Sequence, residues 1–253
     1  MITVACYNIK GGVGKTAAAV NLAYLAAQGG ANTLVWDLDP QGAASFYFRI
    51  KPRIKGGSFS LFKRKRRLDD VIKATDYPRL DLVPADFSYR NMDLLLEQQR
   101  KPGTRLKKLI KPLKSEYHFL FLDCAPSISL VSENIFAAAD VLLVPTIPTT
   151  LSLRTLKQLE DFCAAGDYAH LAVIPFFSMV DRRKSLHREI VENRTGILGA
   201  APRTYIPYAS EVEQMGTRRA PLDTYAHASW AARAYRDMWQ ELQPRLLARR
   251  RSG

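Results

Sequence analysis

Residues 10–16 read Lys-Gly-Gly-Val-Gly-Lys-Thr, a glycine-rich loop with a lysine at each side of its glycines. It follows an apolar, β-rich run at residues 2–9. It precedes an Ala- and Leu-rich run at 15–28 that stops at Gly29-Gly30, so a buried strand is joined to a helix with a glycine stop. The match to the phosphate-loop pattern G-x-x-x-x-G-K-T is imperfect, because the first glycine position falls on Ile9 or a neighbour and the loop begins with lysine. The chemistry survives that departure. Gly11, Gly12 and Gly14 allow the backbone to curl with its N–H groups facing phosphate oxygens. The following helix adds the partial positive charge of its N-terminus. Lys15 can reach the β- and γ-phosphates, and the Thr16 hydroxyl can ligand Mg²⁺. A strand–loop–helix context, with acids further along, separates this stretch from a glycine-rich turn carrying a chance lysine.

Outward from the loop, short apolar runs alternate with helical ones. Strands are expected at Thr33–Trp36 running into Asp37, at Leu80–Pro84, at His118–Leu122 ending on Asp123, at Val141–Val144 and at Leu171–Ile174, with Thr204–Ile206 as a last one. Runs of this kind with helices between them predict an α/β fold: a mostly parallel twisted sheet with helices on both faces. No internal repeat and no Ser/Gly-rich linker divides the chain, so residues 1–253 are expected to form one domain with a basic tail at about 244–253.

Two strand ends carry acids. Strand two runs into Asp37-Leu-Asp-Pro-Gln-Gly42, where Asp37 and Asp39 are expected on opposite sides, one in the metal shell and one facing the γ-phosphate. The fourth apolar strand ends at Asp123-Cys-Ala-Pro-Ser127. A carboxylate at the carboxyl end of a buried parallel strand borders the phosphate crevice and can hold Mg²⁺ or its waters. Either acid alone could be a helix cap; with the glycine loop they make a phosphoryl-transfer site.

Together the three motifs resemble the deviant Walker A, switch I and Walker B/switch II sequences of the ParA/MinD family, over about residues 1–240. More remote matches are Ser178-Met-Val-Asp-Arg-Arg183, Ile206-Pro-Tyr-Ala-Ser210 and Ala220-Pro-Leu222, which in the family contribute to the nucleotide-base side of the pocket. The resemblance implies an ATPase that takes ATP and Mg²⁺ and forms a homodimer on ATP binding. It places Lys10, Gly11, Gly12, Val13, Gly14, Lys15, Thr16, Ala17 and Pro207 against the nucleotide. Lys10 would cross to the partner's phosphates, Lys15 would hold its own chain's, and Asp39 would orient the attacking water. Thr16 and Asp123 would serve the metal, with Asp37 behind them. It further implies a switch that positions a cargo through a ParB-like or other ATPase-stimulating adaptor.

Composition narrows what the switch would act upon. Lys and Arg number 37 against 24 Asp and Glu, a formal net charge of +13. A protein that basic is expected to meet a polyanion. Nonspecific DNA is the expected partner, in a cytoplasmic, nucleoid-associated protein, because phosphate neutralisation needs no sequence reading. Arg182, Arg183, Arg188, Arg218, Arg219, Arg233 and Arg236 are the candidate contacts, with Arg233 and Arg236 sharing a helix face. The 49–67 run has nine Lys and Arg and no acid, and departs from the family; it would widen the DNA footprint or bind an acidic partner. Pro52 and Gly56-Gly57 argue against a continuous helix there.

A MinD-like membrane regulator and a protein-only scaffold are the competing readings. The segment Trp239–Arg251 has the Trp, Leu and Arg of an interfacial helix, but Pro244 is expected to interrupt it, leaving Leu246 and Leu247 as the apolar face beyond. A membrane is therefore the disfavoured partner. Cys6, Cys124 and Cys163 form no C-x-x-C pair, which disfavours zinc and an iron–sulfur cluster, and the scattered histidines lack metal spacing. Trp230, Tyr235 and Trp239 are expected as a core stripe on the last helix. Met1-Ile-Thr-Val-Ala-Cys-Tyr-Asn8 lacks a basic n-region, so a signal peptide is not expected, nor is autorepression through an N-terminal helix-turn-helix.

Overall fold

The computed structural model describes residues 1–63, 66–98, 102–199 and 201–252, with side chains described as far as Arg249. Arg64 and Lys65 of the basic run lie outside the described residues, as do the side chains of Arg250 and Arg251. Seven strands form the sheet: β1 (Ile2–Cys6), β2 (Thr33–Asp37), β3 (Lys73–Ala74), β4 (Leu80–Val83), β5 (Phe119–Asp123), β6 (Val141–Thr146) and β7 (Ala172–Phe177). Their spatial order is β3-β4-β2-β5-β1-β6-β7. All pairs are parallel except β3 with β4.

Strand β5 shows why the parallel strands read as continuous apolar runs. Phe119 and Phe121 pack on one side of the sheet with Val4, Cys6 and Trp239, while Leu120 and Leu122 pack on the other with Leu34, Trp36 and Phe136. Both faces are covered, so alternation carries no polar half. On the first side lie α1 (Lys15–Gln28) and the long last helix, Trp230–Ser252. Trp239 meets Phe119 edge-on at 5.4 Å and fixes that last helix against the sheet. On the other side the core draws in side chains of α3 (Gly57–Phe62), α4 (Met92–Glu97), α5 (Arg105–Ile110), α6 (Leu130–Ala138) and α7 (Thr150–Ala165), whereas α2 (Ala43–Tyr47) sits against α1. The remaining short helices are α8 (Ser185–Glu192), α9 (Arg194–Leu198), α10 (Ser210–Glu213) and α11 (Met215–Arg218), which makes the last helix α12.

Four expectations change. Thr204–Ile206 is not a strand: Ile206 donates to the Phe177 carbonyl and accepts from Val180 N–H, but only one bridge, Val180 to Pro207, forms. Met179 turns left-handed at φ 55° just after β7, so the chain leaves the ladder direction there. Pro244 does not interrupt α12, which runs to Ser252. Leu242 and Leu246 are both buried on either side of the proline, and tertiary packing carries the helix past the lost N–H. That burial also removes Leu246 from any membrane face, and among the described residues no helix is long and apolar enough to cross a membrane. Trp230 is half exposed and meets Tyr205 edge-on, so the aromatic core of α12 is Tyr235 and Trp239. Strand β3 was not expected; two exposed residues give no apolar pattern to read.

Candidate functional site

The parallel strands deliver their carboxyl ends to one edge of the sheet, and the three sequence motifs meet there. Gly14 caps α1 at φ 96°, and a Cβ on it would lie 2.8 Å from Ser178 Oγ, so backbone conformation and space both demand glycine. Gly12 also has a positive φ of 70°, yet a Cβ there would meet no protein atom, since the loop faces an open cradle. The cradle has a volume of about 290 Å³. Gly11, Gly12, Gly14, Lys15, Thr16, Ala17, Asp39 and Pro207 all line it.

Lys15 is buried and donates from Nζ to the Lys10 carbonyl at 2.9 Å. Burial lowers its pKa, opposed by the nearby carboxylate of Asp123. Thr16 Oγ1 donates to Asp123 Oδ1 at 3.2 Å. Asp123 Oδ2 is fully buried without a hydrogen-bond partner among the described residues. The register places Asp37 of β2 directly beside Asp123 of β5. Burial, then the charge of Asp37, raises the Asp123 pKa well above the carboxylate range. Burial raises Asp37 too, although Ser45 N–H and Ser45 Oγ both donate to its Oδ2 at 2.7 Å. Two adjacent buried carboxylates, one oxygen unpaired, beside a threonine hydroxyl suit a divalent hard cation.

Asp39 stands differently from its expected role opposite Asp37. Residues two apart on a strand share a face, so alternation does not separate them. The separation arises because β2 stops at Asp37. Asp39 lies in the following loop, accepting from Gln41 N–H at 2.9 Å, and its chain lines the cradle while Asp37 is sealed below. Val13 has a buried side chain and can offer only its backbone. Lys10 does not line its own chain's cradle.

Pro126 of the Asp123–Ser127 motif lines the cradle, as do Ser178, Met179, Ile206, Tyr208 and Ala209 of the two more remote motifs; Tyr47, Val212, Glu213 and Tyr235 line it as well, and no motif in the sequence marks them. Tyr235 looked like core and is core, at 3% exposure, but its ring also reaches the cradle. Tyr7 was missed as well. It is fully buried, donates its hydroxyl to the Ser127 carbonyl, and so ties the start of the loop to the segment after Asp123.

The candidate arginines divide. Arg182, Arg183 and Arg188 gather where the chain leaves β7, with Arg188 donating to the Arg182 carbonyl at 2.7 Å and Arg183 paired to Asp181 at 2.9 Å. Arg219 donates to the Phe46 carbonyl and lies over its ring at 4.5 Å, and Arg218 lies 5.9 Å from the Tyr225 ring. Arg233 is exposed, but Arg236 does not share its open face: it is paired with Asp223 and donates to the His227 carbonyl.

A glycine loop between β1 and α1, lysine and threonine at its end, and aspartates on the neighbouring strands define a P-loop nucleotide hydrolase. A family model described as an AAA domain matches residues 1–165. The chromosome-partitioning ATPase Soj of Treponema pallidum is 30% identical over 96% of this chain and 97% of its own. By structure, an ATP complex of a Cyanothece McdA variant superposes with a TM-score of 0.83 at 18% identity, covering 96% of both chains. The Pyrococcus furiosus cell division ATPase MinD gives 0.78 at 19% identity, over 96% of this chain and 98% of its own. The chain belongs to the ParA/MinD family of P-loop ATPases.

Proposed function

We propose that this ATPase is a partitioning switch: a single domain that binds ATP with Mg²⁺, dimerises on ATP, and then holds DNA without sequence preference. The observation that carries the nucleotide reading is the unpaired, buried Asp123 Oδ2 beside Thr16 and Asp37, at the foot of an open glycine cradle. Thr16, with Asp123 and Asp37 behind it, would hold Mg²⁺, which when bound supplies charge neutralisation at the phosphates. Lys15 is already desolvated and anchored on the Lys10 carbonyl, so it needs only to swing from that oxygen to a phosphate. Asp39 is fixed by Gln41 N–H at the cradle's lip and would orient water. Lys10, which is not among the residues lining its own cradle, would act on the partner's, as an arginine finger does.

The net charge of +13 and the similarity to Soj support DNA over a membrane as the surface bound. The burial of Leu246 also weighs against the membrane reading. The cargo would be engaged through a ParB-like or other stimulating adaptor, in a cytoplasmic, nucleoid-associated setting. Parallel co-sedimentation tests the reading, with sheared duplex DNA in one arm and anionic vesicles in the other, each with ATP, ADP or no nucleotide. Retention on DNA with ATP alone is expected. Retention on vesicles only would replace it with a membrane-recruited regulator, and retention on neither with a protein scaffold.

A further inference from the structure

The structure sorts the basic run at 49–67 into spent and unspent charge. Arg49 pairs with Asp76 and Arg67 with Asp69, while Lys63 donates to Gln98. Arg53, Lys55 and Arg66 instead line a cleft of about 500 Å³ together with Lys73, a residue outside the run. None of these four makes an ion pair among the described residues. The one acid at the cleft is Asp70, whose carboxylate accepts from the Arg67 backbone N–H at 3.0 Å.

The cleft is held in place by the sheet. The Ile54 N–H donates to the buried Asp86 carboxylate at 2.7 Å, and Asp86 follows β4. Lys73 opens the edge strand β3 and registers with Leu82, near the carboxyl end of β4. The cleft therefore sits at the same edge of the sheet as the glycine loop, beyond the β3 flank. The arginines after β7 sit at the opposite flank of that edge. Six interstrand steps of about 4.8 Å separate β3 from β7, so the two basic groups are independent contact sets.

We propose that Arg53, Lys55, Arg66 and Lys73 form a second DNA-backbone contact, separate from the Arg182–Arg188 group. This rests on the DNA-binding reading above. The lining favours an extended polyphosphate over a small anion, because all four cations are exposed or half-exposed on long side chains. Each cation that neutralises one phosphate contributes about 0.9 to the slope of log affinity against log salt, or about 3.5-fold between 50 and 200 mM salt.

The test measures affinity for an arbitrary-sequence duplex with ATP between 50 and 200 mM KCl. Four proteins are compared: the wild type, Arg53→Ala/Lys55→Ala/Arg66→Ala/Lys73→Ala, Arg182→Ala/Arg188→Ala (Arg183 being paired with Asp181), and Asp70→Asn. The cleft variant is expected to lose about 3 to 4 from the slope, on top of and additive with the loss in the arginine variant. Asp70→Asn keeps an acceptor for Arg67 and removes the opposing charge, so it should bind DNA more tightly. A wild-type slope in the cleft variant, with a reduced slope in the arginine variant, overturns the second contact and leaves the DNA reading standing. No DNA binding by the wild type overturns both. A cleft variant that keeps its DNA slope but loses retention on poly-L-glutamate makes the cleft a site for acidic polypeptide instead.

Discussion

Replacing Asp37 separates what its shape does from what its charge does. The carboxylate is fully buried, and its Oδ2 receives both the N–H and the hydroxyl of Ser45 at 2.7 Å. Ser45 Oγ in turn accepts from Ala85 N–H at 2.9 Å, so one oxygen ties β2 to α2 and to the chain after β4. Asp37→Ala strands two buried donors at about 1–3 kcal/mol each. Part of that is offset, because the variant also removes a charge that burial and the neighbouring Asp39 disfavour. A net loss of about 2 kcal/mol follows, or roughly 4–8 °C in Tm for a chain of this size. Asp37→Asn retains an acceptor for Ser45, loses the charge and gives up only the longer contact in which Oδ1 accepts from Asp39 N–H at 3.3 Å, so without Mg²⁺ it should melt close to the wild type and well above Asp37→Ala. Thermal unfolding followed by circular dichroism, free of nucleotide and metal, reads both. An Ala variant that melts with the wild type, or an Asn variant that falls as far as Ala, refutes the network.

Four further outcomes are expected. Asp37 and Asp123 both have raised folded-state pKa values. The native state therefore holds protons that the unfolded state has released, and the Mg²⁺-free protein should lose stability as pH rises above about 4; Asp37→Asn should flatten that slope in a pH series of melting curves. Lys15→Ala should abolish ATP retention in equilibrium dialysis, whereas Lys10→Ala should retain ATP and fail to dimerise by light scattering. Leu246→Ala should cost about 2–5 kcal/mol in urea unfolding, and Leu247→Ala, 40% exposed, far less. Arg236→Ala should leave the salt dependence of DNA binding unchanged while lowering Tm, because its guanidinium is taken by Asp223; Arg233→Ala should lower the slope by about 0.9.

The parts of the fold legible in the sequence were those where local and tertiary demands agree. Thr33–Asp37 and Phe119–Asp123 are buried on both faces, so an apolar run and an acid at its end suffice to place them. The glycine loop was legible because φ > 0 at Gly12 and Gly14 admits few other residues. What failed was tertiary override. Pro244 reads as a break, but Leu242 and Leu246 bury the helix on both sides of it. Arg236 reads as an exposed cation, but Asp223, thirteen residues away, claims it. Tyr47 and Tyr235 carry no local sign that they reach the cradle, since a ring filling a core and a ring lining a site look alike in sequence. The basic run showed its charge in the sequence. Which cations are spent on Asp76 and Asp69 and which open onto the cleft is set by the fold alone.

Whether this ATPase is an ATP-gated DNA-binding switch is decided by its affinity for nonspecific duplex DNA with ATP, with ADP and with no nucleotide, at two salt concentrations, beside Lys15→Ala. Tight binding with ATP only, weakened steeply by salt and absent in the variant, is expected. Equal binding in all three nucleotide states, or none with ATP at low salt, would contradict the switch.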